Sequence, residues 1–100
     1  MGSSLLNAFY GSSNLNISAT DVPNLGNVTS MYSMFAFCSN LNGPSNINNW
    51  DTSKVTSMGY MFCLASVFNQ NIGSWNTANV TNMSFMFYNA SVFNQNVAHL

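Results

Sequence analysis

The hydrophobic and polar positions of the chain recur with a period of about 25 residues. When residues 50–74 are shifted by 25 onto residues 75–99, 14 of the 25 positions carry the same amino acid. Shifts of 27 and 26 extend the pattern back through residues 28–42 to Leu5. Self-similarity at a period of roughly 20–50 residues is typical of stacked-repeat architectures. The sequence therefore predicts one domain of four units, which are residues 1–22, 23–49, 50–74 and 75–100.

Each unit contains an apolar stripe followed by a short alternating segment. In the last unit the stripe recurs at spacings of 3, 3, 1, 3 and 3 between Val80 and Phe93, which predicts a short helix over about residues 82–89. Thr81 precedes this helix and is a suitable N-cap. Residues 93–97 then place apolar side chains at both ends and polar ones between, which predicts a short strand or extended stretch.

A single unit is too small to fold alone. Burying six or seven apolar side chains contributes roughly 10–20 kcal/mol, whereas ordering 25 residues costs roughly 35 kcal/mol. Stacking of the units makes up the difference, so we predict an α/β repeat solenoid, a right-handed coil with one short parallel strand and one short helix in each unit. A pure β-solenoid is the alternative. The residues expected to superpose in columns are Trp50 with Trp75, Met58 with Met83, Met61 with Met86, Phe35 with Phe62 and Phe87, Phe68 with Phe93, and Asn71 with Asn96.

The near absence of charge changes the picture of the surface. Asp21, Asp51 and Lys54 are the only charged side chains, 3% of the residues, where about 25% is usual. Without a basic patch, nucleic acid is not an expected partner, and no apolar run reaches the roughly 18 residues of a membrane span. The first residues show no signal-peptide pattern. A surface with so little charge repels its own copies weakly, which favours self-association.

The units also resemble a known repeat. The residues that carry the likeness are the Trp50–Met58 segment, Met61-Phe62, Ala65-Ser66 and the segment Phe68–Ile72. They resemble the BspA-like surface-protein repeats of mycoplasma lipoproteins and other microbes. The resemblance implies a leucine-rich-repeat-like solenoid, an extracellular or cell-surface location, and a role in adhesion, with no catalytic residues. It is looser in residues 1–49, where Pro23 stands in place of the tryptophan.

The sequence offers no constellation for catalysis or for a cofactor. His99 is the only histidine, and Asp51 aligns with Asn76, so this column does not require a carboxylate. No Gly-rich phosphate loop or Cys/His metal spacing occurs. The methionine pairs lie within the apolar stripe, so core packing explains them better than a metal site. Cys38 and Cys63 occupy different columns, and two free thiols are expected. We predict a protein that is not an enzyme and binds no cofactor or metal.

Five Asn-x-Ser/Thr triplets are candidate glycosylation sites. Asn27 and Asn79 share a column with Lys54, which should be exposed to solvent. These two are therefore the stronger candidates, for a secretory eukaryotic source. The weaker candidates are Asn16, Asn82 and Asn89.

The ends of the stack carry the main functional prediction. Soluble repeat proteins normally carry polar capping units, but both ends of this chain are apolar, and an open edge is a template for another copy. The predicted association residues are Leu5, Leu6, Phe9, Val92, Phe93 and Val97. The chain is thus expected to bind itself head to tail, as a fibre, or to belong to a longer parent chain. The alternatives are a module that binds a host or matrix protein and, through rows of threonines, ice binding.

Overall fold

The computed structural model describes residues 4–8, 10–11, 24–97 and 100, and these residues form coils stacked on one another. The only helix in this part of the chain is a 3-10 helix, Ile47–Asn49, and no strand is present there. Isolated parallel β-bridges instead join equivalent residues of successive coils, which are Ser4, Ser30, Ser57 and Asn82. We number the coils in chain order: coil 1 (residues 4–8 and 10–11), coil 2 (24–49), coil 3 (50–74) and coil 4 (75–97).

One side of each coil is a ladder of tight turns, which we call the turn ladder. From Met58 to Leu64 every second backbone N–H donates to a carbonyl of coil 4, at N–O distances of 2.7–2.9 Å. Between them, the N–H groups of Met61 and Cys63 donate to the carbonyl three residues earlier in the same coil, at 3.2 and 3.1 Å. Coils 1 and 2 donate to the following coil in the same way. Backbone bonding thus alternates between turns within a coil and contacts between coils.

These turns stand where the sequence predicted a short helix over residues 82–89. A helix needs each N–H to bond the carbonyl four residues earlier, but here alternate N–H groups point along the stack instead. The backbone also takes positive φ at two positions four residues apart in each coil, at Tyr60 (57°) and Leu64 (58°) in coil 3 and at Phe85 (56°) and Asn89 (54°) in coil 4. The right-handed helical conformation requires negative φ, so the helix is replaced by consecutive turns.

The methionine at the centre of the expected helix shows the difference directly. The Met86 N–H donates to the carbonyl of Met83, three residues earlier, at 3.2 Å, so Met86 lies in a turn and not in a helix. The Met86 carbonyl accepts the Phe62 N–H of coil 3 at 2.9 Å, a contact between coils that a helix would not allow. The side chains of Met61 and Met86 are nevertheless both buried in the core, at 0% and 4% exposure. The helical conformation predicted for Met86 is therefore replaced, while its place on the inner face is kept.

The apolar stripe as a whole faces the interior. In coil 3 the stripe side chains are completely buried, and they are Val55, Met58, Met61, Phe62, Ala65 and Phe68. Equivalent rings lie over one another along the stack. The centroids of Phe35 and Phe62 are 5.7 Å apart, and those of Phe62 and Phe87 are also 5.7 Å apart with planes inclined by 3°. The core is therefore a set of side-chain columns that runs along the stack.

The other side of the coil is held by side chains instead of a strand ladder. Residues 68–72 and 93–97, where a strand was expected, contain none. The Asn69 N–H donates to Asn42 Oδ1 (2.8 Å), and the Asn94 N–H donates to Asn69 Oδ1 (2.9 Å). Amide side chains thus provide contacts between coils that a backbone ladder provides in a sheet.

The tryptophan and asparagine columns complete this side. The Trp75 indole N–H donates to the Ile47 carbonyl of coil 2 at 2.8 Å, and Trp50 is buried like Trp75. Asn71 Oδ1 accepts the N–H of Gly73 in its own coil at 2.8 Å. The indole of Trp75 therefore joins two coils, whereas the amide oxygen of Asn71 closes a turn within one.

Candidate self-association interface

The outer face of coil 4 leaves core columns uncovered. Five side chains that are completely buried in coil 3 have half-buried equivalents in coil 4. The half-buried residues, which still pack against the core, are Val80, Met83, Phe87, Phe93 and Val97. Phe87 and Phe93 stack at 4.2 Å and 15°, as Phe62 and Phe68 do at 4.1 Å and 12° in coil 3. The end of the stack therefore presents a preformed apolar face with no charged side chain among these five residues.

Two stripe residues of coil 4 do not belong to this face. Met86 and Ala90 stay buried in coil 4, as Met61 and Ala65 do in coil 3. The open face is thus formed by part of the stripe, and Met86 belongs to the interior of the stack.

The same end carries a row of unpaired backbone donors. In coils 1 to 3 the N–H groups of the turn ladder reach the following coil, but coil 4 has no following coil among the described residues. The N–H groups of Met83, Phe85, Phe87 and Asn89 make no hydrogen bond there. They occupy the columns of Met58, Tyr60, Phe62 and Leu64, which all donate to coil 4. The open edge therefore repeats, group for group, the donor pattern by which coil 3 holds coil 4.

The opposite edge, in coil 1, carries acceptors. The turn ladder of coil 1 donates to coil 2 through the N–H groups of Leu5, Asn7 and Gly11, at 2.8–3.0 Å. The intervening carbonyls face the other way along the stack and accept no hydrogen bond within the described residues. These carbonyls belong to Ser4, Leu6, Ala8 and Tyr10. Four donors at one end thus match four acceptors at the other, in the same order as the donors of coil 3 and the acceptors of coil 4.

A column of side-chain acceptors also ends at the open face of coil 4, on the side opposite the turn ladder. Asn42 and Asn69 each accept a backbone N–H of the following coil through Oδ1, and Gln95 Nε2 donates to the Asn69 carbonyl at 2.8 Å. Asn94 continues this column, and its Oδ1 accepts no bond among the described residues. Asn94 Oδ1 is therefore an acceptor at this face that could bind a backbone N–H of another chain.

The predicted association residues fall into three groups. Phe93 and Val97 lie on the open face of coil 4, and Leu5 is half-buried against the core in coil 1. Leu6 is exposed in coil 1, and Phe9 lies outside the described residues. Val92 is 48% exposed, but Val67 in the preceding coil is 40% exposed in the same column. The exposure of Val92 therefore belongs to the outer surface of each coil and not to the open end.

Sequence reasoning missed the backbone donors and three side chains of the open face, Val80, Met83 and Phe87. The side chains had a usable signal, because they align with Val55, Met58 and Phe62, which any stacked arrangement buries. The backbone donors had no such signal, because the residue types do not indicate the tight turns that leave alternate N–H groups without a partner in their own coil.

An aromatic surface row runs along the outside of the turn ladder. Tyr32 and Tyr60 lie 5.6 Å apart by ring centroids, Tyr60 and Phe85 lie 5.1 Å apart, and Phe85 meets Tyr88 edge-on at 5.8 Å. Phe85 and Tyr88 are 56% and 52% exposed. The rings of Tyr32 and Tyr60 are inclined by 55°, those of Tyr60 and Phe85 by 26°, so the row is continuous in contact but not uniformly stacked.

The candidate glycosylation sites differ in their surroundings. Asn27, Asn79 and Asn89 are exposed, whereas Asn82 is half-buried and Asn16 lies outside the described residues. The Asn79 Nδ2 group donates to the Ser53 carbonyl of coil 3 at 2.7 Å. The Asn82 Oδ1 atom accepts from Ser84 N and Ser84 Oγ. Asn27 and Asn89 are the exposed sites whose side-chain amides make no such bond to another described residue.

The surroundings of Asp51 and Cys63 shift the pKa values of these two side chains. The hydroxyl and the N–H of Ser53 donate to Asp51 at 2.6 and 3.0 Å, and they lower the pKa of this exposed carboxyl below its usual 3.8, with a smaller contribution from Lys54. Burial raises the pKa of the Cys63 thiol above its usual value. Cys38 and Cys63 are both buried, and neither forms a disulfide. In the described part of the chain, no three His, Cys, Asp or Glu side chains come together as a metal site would require.

The described residues include no helix with the length and hydrophobicity needed to span a lipid bilayer. Comparison with known proteins gave no match among curated proteins and none among solved structures. A protein family described as "Mycoplasma protein of unknown function, DUF285" does match, over residues 3–100. The match covers almost the whole repeat region, including both ends of the stack. The chain therefore belongs to the DUF285 family of Mycoplasma proteins.

Proposed function

We propose that this protein is a non-enzymatic, extracellular structural protein that associates end to end through the faces of coil 1 and coil 4. The observation that carries the proposal is the open face of coil 4, where half-buried core residues adjoin four unpaired backbone donors. Apolar surface beside unpaired ladder groups is unfavourable in water and favours pairing with another chain. Because the two ends differ, the contact is heterologous and builds a filament unless the rotation closes a ring.

For the fold class we propose the alternative that has no helix in the turn ladder, a β-solenoid. The parallel bridges between successive coils and the turns at residues 82–89 support it. A relation to BspA-like and leucine-rich repeats, and with it the extracellular location, remains a proposal based on the resemblance of the repeat residues. Membership of a family with no described function is compatible with it and adds no further support.

The test compares two lysine variants that differ only in where the charge lies. Val80 is half-buried on the open face, whereas Ala78 is exposed in the same coil. Val80→Lys places a charge that association would desolvate, so we expect its association to be at least about tenfold weaker, as 1.4 kcal/mol would produce. Ala78→Lys should associate like the unmodified chain. Sedimentation velocity over a concentration series measures this, and electron microscopy shows whether the larger species are filaments.

Two results would contradict the proposal. One is an unmodified chain that stays monomeric over the whole concentration series. The other is equal association of the two lysine variants. Circular dichroism and thermal melting of both variants establish that each retains its fold.

Adhesion to a host or matrix protein is the second candidate, and the aromatic surface row favours it. Aromatic side chains that are exposed together are enriched at binding sites. Substitution of Tyr60 or Lys54 with the fold retained should then abolish binding to a partner while leaving end-to-end association intact. Unchanged binding of the substituted proteins to immobilised matrix proteins would count against this candidate.

Ice binding remains a minor candidate with less support. The hydroxyls of Thr56 and Thr81 donate to the carbonyls of Thr29 and Thr56 in the preceding coil. These hydroxyl protons therefore serve contacts between coils and are not free to order water. Absence of thermal hysteresis in a solution of the purified protein would eliminate this candidate.

A further inference from the structure

We propose that the partner segment at the open face of coil 4 is the turn ladder of coil 1 in a second copy, bound in one defined register. In this register the N–H groups of Met83, Phe85, Phe87 and Asn89 donate to the partner-copy carbonyls of Ser4, Leu6, Ala8 and Tyr10, in that order. The inference rests on the proposed end-to-end association and specifies which groups make the contact.

The register follows from the columns. Met58 donates to the carbonyl of Asn82, whose bridge partners in the earlier coils are Ser57, Ser30 and Ser4 in turn. The next donor in the column of Met58 is Met83, and the matching acceptor at the start of the stack is the Ser4 carbonyl. The three remaining columns extend in the same way, because coils 1 to 3 all use the same alternation. A shift by one residue would place the donors opposite Leu5 and Asn7, whose carbonyls already accept the N–H groups of Ala8 and Tyr10 within coil 1.

The same pattern excludes symmetric pairing through this ladder. Two copies that met through their coil 4 edges would bring unpaired N–H groups against N–H groups, and two coil 1 edges would bring carbonyls against carbonyls. A buried backbone group without a partner costs about 1–3 kcal/mol, and four columns would be affected. The contact is therefore head to tail, and a coil 4 edge pairs only with a coil 1 edge.

The apolar side chains are compatible with this register. The column of Met31, Met58 and Met83 contains Leu5 in coil 1, and Leu5 is half-buried against the core. At the outer surface, Asn7 of the partner copy would lie next to Phe85, in the column of Tyr60. The partner copy thus brings a residue smaller than a tyrosine ring to the end of the aromatic surface row, so the contact introduces no overpacking there.

Disulfide trapping tests the register directly. Residues at a parallel bridge have Cα atoms about 4.8 Å apart, within the about 4.4–6.8 Å that a disulfide spans. Ser4 and Asn82 are the positions that would bridge between copies. We therefore make Ser4→Cys and Asn82→Cys in separate chains, in a background with Cys38→Ala and Cys63→Ala, whose columns already contain alanine at Ala65 and Ala36. A disulfide between the two proteins then has to join two different copies.

After mild oxidation of an equimolar mixture, we expect the mixed dimer in about tenfold excess over either same-residue dimer. The matched control is the double variant Ser30→Cys/Ser57→Cys, whose bridge lies within one chain and which should form its disulfide as a monomer. Non-reducing electrophoresis and intact mass distinguish these products.

The outcomes separate this inference from the association itself. Same-residue dimers in equal or greater amount, or larger species in sedimentation without a mixed disulfide, would overturn the register while leaving end-to-end association in place. A chain that stays monomeric at every concentration would overturn both.

Discussion

At the scale of single residues, the stack depends on backbone positions where there is little room for a side chain. At Gly73 two successive coils approach each other closely. A Cβ atom at Gly73 would lie 2.8 Å from the backbone carbonyl oxygen of Asn96 in the next coil, whereas at Gly26 the nearest atom would be 3.6 Å away. The spacing of the coils is therefore sensitive to one methyl group at Gly73 and insensitive to one at Gly26.

We predict that Gly73→Ala lowers the free energy of unfolding by about 1–3 kcal/mol, because the Asn96 backbone has to move. Gly26→Ala is the control and should be neutral or stabilise by about 0.4–1 kcal/mol, through the lower entropy of the unfolded chain. Urea unfolding of both variants measures the difference. Equal stabilities would show that the close contact at Gly73 is absent in solution.

Positive φ at residues other than glycine gives a second prediction. Ser33 is buried with φ of 55°, whereas Ser57 occupies the bridge column and is not among the positive-φ residues. The left-handed conformation costs a non-glycine residue about 1–2 kcal/mol, so Ser33→Gly should be more stable than Ser57→Gly by about that amount. Thermal unfolding of the two variants tests this. A Ser33→Gly variant less stable than Ser57→Gly would show that residue 33 does not have a positive φ in solution.

At the scale of elements, the period and the columns could be predicted from the sequence, but the local conformation could not. The spacing of 3, 3, 1, 3 and 3 suits the inner face of a helix, and the structure shows the same spacing on the inner face of a turn ladder. Met86 illustrates this, because it is buried as either arrangement requires and only its backbone hydrogen bonds distinguish the two. Glycine would have marked the positive-φ positions, but Tyr60, Leu64 and Phe85 occupy them. Tertiary hydrogen bonding between coils therefore overrides the local pattern.

The side-chain contacts opposite the turn ladder allow a test with an internal control. Asn69 Oδ1 accepts from the N–H of Asn94 and from Gln95, whereas Asn94 Oδ1 accepts nothing among the described residues. We expect Asn69→Ala to lower the free energy of unfolding by about 1 kcal/mol, the usual net value of a hydrogen bond. Asn94→Ala should be nearly neutral in the monomer. Chemical denaturation at low protein concentration compares the two variants. Equal decreases in the free energy of unfolding would contradict the role of Asn69 Oδ1 as an acceptor between coils.

At the scale of the whole molecule, association is expected to be nearly independent of salt. The open face of coil 4 contains no charged side chain, and the chain has only three in all. Screening by salt weakens contacts between exposed charges, so a change from about 50 mM to 500 mM NaCl should leave the association constant almost unchanged. Sulfate should strengthen it, because sulfate favours apolar burial. Sedimentation in these buffers decides, and a steep fall with NaCl would indicate an electrostatic contact instead.

The two open ends mark the limit of what the sequence could predict about the site. Their apolar character could be read from Leu5, Phe93 and Val97, since residues that complete a repeated pattern should face a neighbour. The direction of the backbone groups could not, because every residue except proline carries the same N–H and C=O. Only the alternation within the turn ladder reveals that one end donates and the other accepts.

The nearly constant sequence separation between residues that are hydrogen-bonded across coils also has a consequence for folding. Backbone hydrogen bonds between coils join residues separated by 24 to 27 positions, as Met58 with Asn82 and Thr56 with Thr29 show. A newly synthesised coil needs only the coil before it, and the donors of that earlier coil are already in place. Loop-closure entropy depends on loop length, so each added coil closes a loop of the same size. Chain growth on the ribosome and folding can therefore advance together, and a longer array of such coils would fold no more slowly per coil than a short one.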